Sequence, residues 1–196
     1  MEFYLNEEKI DVTIESEKTV GDVFKSFELL CEENQAAVIG IVLDGKNITA
    51  EEFDEISKQE LKDSMIFNFN VVTKTAIQES FTKLSELFTE LADKMIQIPV
   101  ELQSGKDKDA HNSIKTLADS IENFCHIAAL ASLFEEYTNV TIDDMPFAEF
   151  FAQFSPVLND FEQALKDNDT VTVGDLAEYE ICPRLQAIAK TLKALN

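Results

Sequence analysis

Along residues 1–74 hydrophobic and polar positions alternate, and from about 75 onward they recur every three or four residues. The first pattern predicts short strands and the second amphipathic helices. "EFYLN" is a short apolar segment, and the "NEEK" that follows supplies turn chemistry. In "KIDVTIE", Ile10, Val12 and Ile14 share one face and charged or polar residues the other, as in a half-buried antiparallel strand. "KTVGDVFKSFELLCEENQ" changes period, with Val20, Val23, Phe24, Phe27, Leu30 and Cys31 on one helical stripe. "AAVIGIVLDGKNIT" is an apolar run ending in Asp44-Gly45, a tight-turn dipeptide. "AEEFDEISKQELKD" predicts one or two helical turns. "SMIFNFNVVT" alternates again, with Ile66, Phe67 or Phe69, and Val71 as core candidates.

The second half predicts four amphipathic helices joined by short connections, which makes neighbours antiparallel. The first carries Ile77, Phe81, Leu84, Leu87, Phe88, Leu91 and Met95 on one stripe, and Pro99 interrupts it. "QSGKDKD" reads as a loop. The second helix carries Ile114, Leu117, Ile121, Phe124, Ala128 and Ala131, then Phe134 or Leu130. The third starts in "TIDDMPF", where Pro146 suits a first turn. The last carries Leu176, Tyr179, Leu185, Ile188, Leu192 and Leu195. The junction at residues 73–75 has neither Gly nor Pro, so a stiff connection is expected.

Thr-Val-Gly-Asp occurs twice, at 19–22 and 172–175. At both places Thr stands where a helix is expected to begin, with an acid three residues on. Each reads as a capping box with Asp in place of Glu, and the differing flanks argue against a duplicated unit.

Composition narrows the function classes. The 196 residues include 38 acids and 16 bases, a net charge of −22. Residues 1–75 hold 17 acids and 7 lysines, leaving 21 acids and 9 bases for 76–196, so both halves are acidic. Such a surface repels phosphate backbones and anionic membranes, and predicts no nucleic-acid and no membrane partner. The acidity reads either as a means of solubility or as an electrostatic preference for a basic protein partner. Cys31, Cys125 and Cys182 are widely spaced and form no CxxC motif. There is no signal-like start and no run of about 18 apolar residues, so a cytoplasmic protein is expected.

The order strand, turn, strand, helix, strand, short helix, strand, together with "MEFYLNEEKIDVTIESEKTVGDVFKSF" and "IGIVLDGKNIT", resembles the ubiquitin-like β-grasp over residues 1–74. The resemblance implies an open sheet that can bind another protein. Ubiquitin-like modifiers and sulfur carriers end in a free diglycine. Here "NVVTKTAIQES" runs on into a helix and the chain ends "KALN", so neither chemistry is expected. "DNDTVTVGDLAEYEICPRL" is similar to the ends of small helical proteins from bacterial motility gene neighbourhoods, which implies a bacterial protein linked to motility or export.

Few residues offer chemistry. Glu122 and His126 lie four apart on one helix face and could supply two metal ligands, but the second Glu-x-x-His pair of a di-iron bundle is absent. Cys125 and His126 are adjacent and so point about 100° apart on a helix, which prevents a nucleophilic pair. No phosphate-cradling glycine motif occurs. "DNDTVTVGD" has alternating Asp and Asn like a calcium loop, but Thr172 stands where that loop needs Gly. Phe147, Phe150, Phe151 and Phe154 fall at helical spacing. They read either as core or as a partner-binding face, with Tyr179 either packed in the bundle or at the rim of such a face.

The sequence thus predicts an α+β protein, a β-grasp at 1–74 and an antiparallel four-helix bundle at 75–196. It predicts no catalytic, cofactor or metal site. The expected function is a non-enzymatic adaptor or chaperone-like accessory protein. Two other classes stay open on the residues alone: a metal-binding or enzymatic bundle using Glu122 and His126, and a self-assembling structural subunit.

Overall fold

In the computed structural model, which describes residues 1–104 and 107–195, the alternating N-terminal pattern becomes a five-stranded mixed sheet. Its strands are β1 (Glu2–Leu5), β2 (Glu8–Ile10), β3 (Ala36–Leu43), β4 (Lys46–Asn47) and β5 (Ile66–Thr73), in the spatial order β2-β1-β5-β3-β4. Helix α1 (Val20–Glu33) connects β2 to β3, and the short α2 (Ala50–Ile56) connects β4 to β5. β1 and β5 run parallel at the centre, and every other pair is antiparallel. The two hairpin turns use positive φ, at Asn6 and Glu7 and at Asp44 and Gly45, which gives the twist that two-residue turns need. Asn6 also ties β1 to the central strand, accepting from the Val71 N–H and donating to its carbonyl.

One face of this sheet carries an aromatic core. Phe67 and Phe69, two apart on β5, point the same way and are fully buried. Phe27 of α1 stacks on Phe69 with ring centroids 3.8 Å apart, and Phe3 stacks on Phe67 at 5.1 Å. The opposite parity puts Ile66 outside, so that core candidate is corrected. Leu30 is also exposed, because Val20, Val23, Phe24, Phe27 and Cys31 already define the inward stripe of α1 and Leu30 lies beside it. The strand expected through Ile14 stops at Ile10, which pairs with Phe3 of β1 at the edge of the sheet.

The start of α1 shows the capping box: Asp22 N–H donates to Thr19 Oγ1, and Thr19 N–H to Asp22 Oδ2. The second Thr-Val-Gly-Asp is different. It lies inside α6 (Thr170–Asp175), whose N-cap is Asp169, accepting from Thr172 N–H at 3.1 Å. What the two copies share is a glycine at a close approach. A Cβ on Gly21 would stand 2.9 Å from the Ser57 carbonyl oxygen, and one on Gly174 3.2 Å from Pro99 Cγ.

The chain divides into the units Met1–Ala76 and Ile77–Asn196. The second contains most of α3 (Lys74–Gln103), then α4 (Asp107–Ala131), α5 (Phe147–Lys166), α6, a π-helical stretch (Leu176–Ile181) and α7 (Cys182–Ala194). Helix α3 continues through Pro99 instead of ending there. Proline removes one helical hydrogen bond; here it also packs where Gly174 brings α6 close to α3. The π register has a related cause. Pro183 has no N–H, so an α register would leave the Tyr179 carbonyl unpaired, and bonding five residues on passes over the proline. Arg184 steadies this point by donating to the Glu180 carbonyl and carboxylate.

Between α4 and α5 the chain makes a 3₁₀ turn (Glu135–Tyr137) and a small hairpin, β6 (Thr141–Ile142) and β7 (Met145–Pro146). The expected helix start in "TIDDMP" is therefore a strand pair. Asp143 and Asp144 adopt φ of 50° and 61°, which turns the chain back on itself. Among the described residues no helix is long and apolar enough to cross a membrane.

Candidate functional site

The four phenylalanines of α5 divide by angle around the helix. Phe150 and Phe154 are buried. Phe154 has no solvent access and packs in the core, while Phe150 is 3% exposed and edges a small depression with Gln153 and Arg184. Phe147 and Phe151 are half-buried and meet Phe124 of α4, with centroids 5.4 and 5.8 Å away. Tyr179 is 66% exposed on the π-helical stretch. The Glu178 carboxylate beside it raises the pKa of its phenol.

Glu122 and His126 both lie on the exposed side of α4. Among the described residues no group of three His, Cys, Asp or Glu is placed to hold a metal ion. Cys125, between them, turns inward and is partly buried. Burial pushes its thiol pKa up, which makes it less reactive than a free thiol.

The inward side of Cys125 opens on a cavity of about 270 Å³ in the helical unit. Phe124, Cys125 and Ala128 of α4 form one wall. Phe81 of α3, Phe147 of α5 and Leu192 of α7 form others, and Tyr137 and Ile142 close it from the α4–α5 connection. The cavity exists because that connection is not helical. The 3₁₀ turn, the hairpin and the link between them contribute Tyr137, Ile142 and Val140 to its lining. Ala128, Ala129 and Ala131 on the α4 side leave space that larger side chains would fill.

Tyr137 is its one buried phenol. The ring packs edge-on against Phe81 at 5.4 Å. Its hydroxyl is buried and has no hydrogen bond of good geometry, although the Glu136 and Gln78 side chains lie near enough to affect its titration. Burial first, and Glu136 second, push its pKa up to about 12. The phenol is therefore neutral at physiological pH.

Of the residues singled out in the sequence as partner-facing or reactive, Phe147 and Cys125 line this cavity, and Phe81, Phe124, Ala128, Ala131, Leu192 and Leu195 of the helical stripes line it with them. Tyr137, Ile142 and Thr191 carry no motif. The one available signal is the break in helical period after Ala131, where "SLFEEYTNVTIDDMP" no longer fits a single stripe.

Comparison with known proteins places both halves. Residues 1–73 match the family model TP0873 N-terminal domain, and residues 79–191 match Domain of unknown function (DUF8042). A relative described as an uncharacterised protein of Treponema pallidum (strain Nichols) is 22% identical over 183 residues, covering 93% of this chain and 92% of the relative. No solved structure matches the chain significantly.

Proposed function

The chain belongs to the family described as Domain of unknown function (DUF8042), and from that premise we propose that it works as a non-enzymatic protein-binding adaptor or chaperone-like accessory protein. The observation that carries this reading is the apolar cavity bounded by Phe81, Phe124, Tyr137, Phe147 and Leu192. At about 270 Å³ it lies just below the ~300–1,000 Å³ of pockets for drug-sized ligands. It suits one or two large apolar side chains inserted as anchors, the groups that dominate protein interfaces. The chain's net charge of −22 favours a basic partner.

We read the N-terminal unit as a ubiquitin-like β-grasp. The order β2-β1-β5-β3-β4, with a parallel central pair and one long helix across one face, supports this. We read α3, α4, α5 and the α6–α7 segment as an antiparallel four-helix bundle, modified by the hairpin. A cytoplasmic bacterial protein of motility or export is the setting that the similarity of residues 167–185 suggests.

Affinity purification from native extract at low salt tests the adaptor role, using the full chain beside its Ala129→Trp variant, which plugs the cavity. A stoichiometric protein held by the first and lost by the second is expected. No stoichiometric partner, or stoichiometric iron, manganese or zinc in protein purified without a His tag, would overturn the reading.

A further inference from the structure

We propose that the apolar cavity is one half of a two-part site, and that its occupant is a protein segment with a large apolar side chain flanked by lysine or arginine. This rests on the adaptor reading and names the partner's chemistry. Immediately beside the cavity lies a second depression of about 490 Å³, and the two share Val140, Thr191 and Leu195 as a common wall. The second depression is polar. Glu136, Asp143 and Asp144 line it, opposed by the single ammonium of Lys190. Asp143 and Asp144, side by side at the hairpin turn, outnumber that ammonium next to an apolar opening.

The hairpin turn fixes this juxtaposition. Asp143 and Asp144 are its two central residues, both at positive φ, a conformation asparagine and glycine also tolerate. The same hairpin contributes Ile142 to the cavity and the aspartates to the charged depression. A segment seated with its apolar side chain between Phe124 and Leu192 therefore places neighbouring residues over the carboxylates. An acidic neighbour is repelled there, a neutral one gains nothing, and a basic one gains attraction.

The test uses the full chain and a fluorescein-labelled peptide with a Leu-Phe pair between lysines, read by fluorescence anisotropy. Companion peptides replace the lysines by serine, or the Leu-Phe pair by serines. Ala129 lies on the exposed lip of the cavity, so Ala129→Trp fills the opening without overpacking the core. It is expected to weaken binding roughly thirtyfold, the loss of one large buried side chain. Glu136→Gln with Asp143→Asn and Asp144→Asn is expected to weaken it about tenfold and to remove most of its salt dependence. Glu28→Gln, Glu32→Gln and Glu33→Gln on α1 make the same change in net charge elsewhere and are expected to alter binding less than about twofold.

Equal binding of the serine-flanked peptide, or equal loss in the two charge-neutralised variants, would overturn the two-part site and leave the groove reading standing. Unchanged binding by folded Ala129→Trp would overturn both. If circular dichroism shows that variant unfolded, alkylation of Cys125 in the unaltered chain decides. The lysine peptide is expected to slow it, and no slowing overturns the proposal. A free fatty acid that protects Cys125 where the peptide does not would assign the cavity to a small apolar ligand instead.

Discussion

Replacing Phe154 by alanine removes an enclosed ring from the helical unit. Phe154 has no solvent access. Its ring centroid lies 6.0 Å from that of Phe150 and 6.2 Å from that of Phe151, and the guanidinium carbon of Arg184 stands 5.9 Å from it. An aromatic side chain buries ~150–250 Å². At ~25 cal/mol per Å² this gives an upper bound of roughly 4–6 kcal/mol. Large-to-small exchanges at such sites cost about 3–5 kcal/mol, including the cavity left behind. The cation–π contact adds only ~0.5–1 kcal/mol, and Arg184 keeps its pairing with Glu180, so packing dominates. Phe154→Ala is thus expected to destabilise the helical unit by about 4 kcal/mol. Phe147→Ala, at a half-buried position, should cost only about 1–2 kcal/mol. Urea unfolding followed by far-ultraviolet circular dichroism measures both. Should Phe154→Ala leave too little folded protein to fit, Phe154→Leu, which keeps more of the volume, gives a graded loss under ~1.5 kcal/mol. A cost of Phe154→Ala below about 1.5 kcal/mol, or a cost of Phe147→Ala as large as that of Phe154→Ala, would refute the division of the α5 rings into core and cavity lining.

Other perturbations test the remaining geometry. Gly21→Ala would bring a methyl to 2.9 Å from the Ser57 oxygen. Although alanine gains up to ~1 kcal/mol in helix propensity, a net loss of about 1–3 kcal/mol is expected in denaturant titration, and a more stable variant would show the contact to be soft. Asp169→Ala should cost about 1 kcal/mol as the loss of an N-cap. Thr172→Ala should cost less, since its hydroxyl only donates to Asp169 at 2.7 Å, and equal losses would restore Thr172 as a cap. Glu17 accepts hydrogen bonds from Ser26 and from the backbone N–H groups of Glu15 and Ser16. Led by the Ser26 bond, these hold its pKa near about 2, against an ordinary 4.5. Because the folded pKa is the lower one, its stabilisation is complete above pH 4.5 and is lost as the pH falls toward 2. Thermal melts of Glu17→Gln should fall less steeply than the parent's across that window, and parallel curves would contradict this.

The parts of the fold legible in the sequence were those governed by one element at a time. The alternation in "SMIFNFNVVT" marked β5, and the stripe from Val20 to Cys31 marked α1. The capping box at Thr19 was readable because it closes within four residues. The helical stripes of the second half marked α3 to α7, though their ends shifted: Pro99 did not stop α3, and α4 ended at Ala131. The candidate site was hardly legible. Four phenylalanines at one spacing cannot declare which two face the core, since that depends on where α4 stands. Tyr137 and Ile142 carried no signal, and "TIDDMP" resembled a helix start because acids and a proline suit one as well as they suit a turn.

By itself, then, the sequence determined the main strands of the first half and the long helices of the second, the acidic charge and the first helix cap. These follow from local backbone preferences and from the periods at which apolar groups recur. The tertiary structure alone decided that Gly21 and Gly174 mark close approaches, that Phe150 and Phe154 lie in the core, and that an apolar cavity adjoins three carboxylates. Space between elements is set by how separate segments pack, and residues distant in the chain contribute to it without any shared pattern. Repeating spacing reports the face a side chain occupies, whereas a cavity is the volume left where several such faces fail to meet.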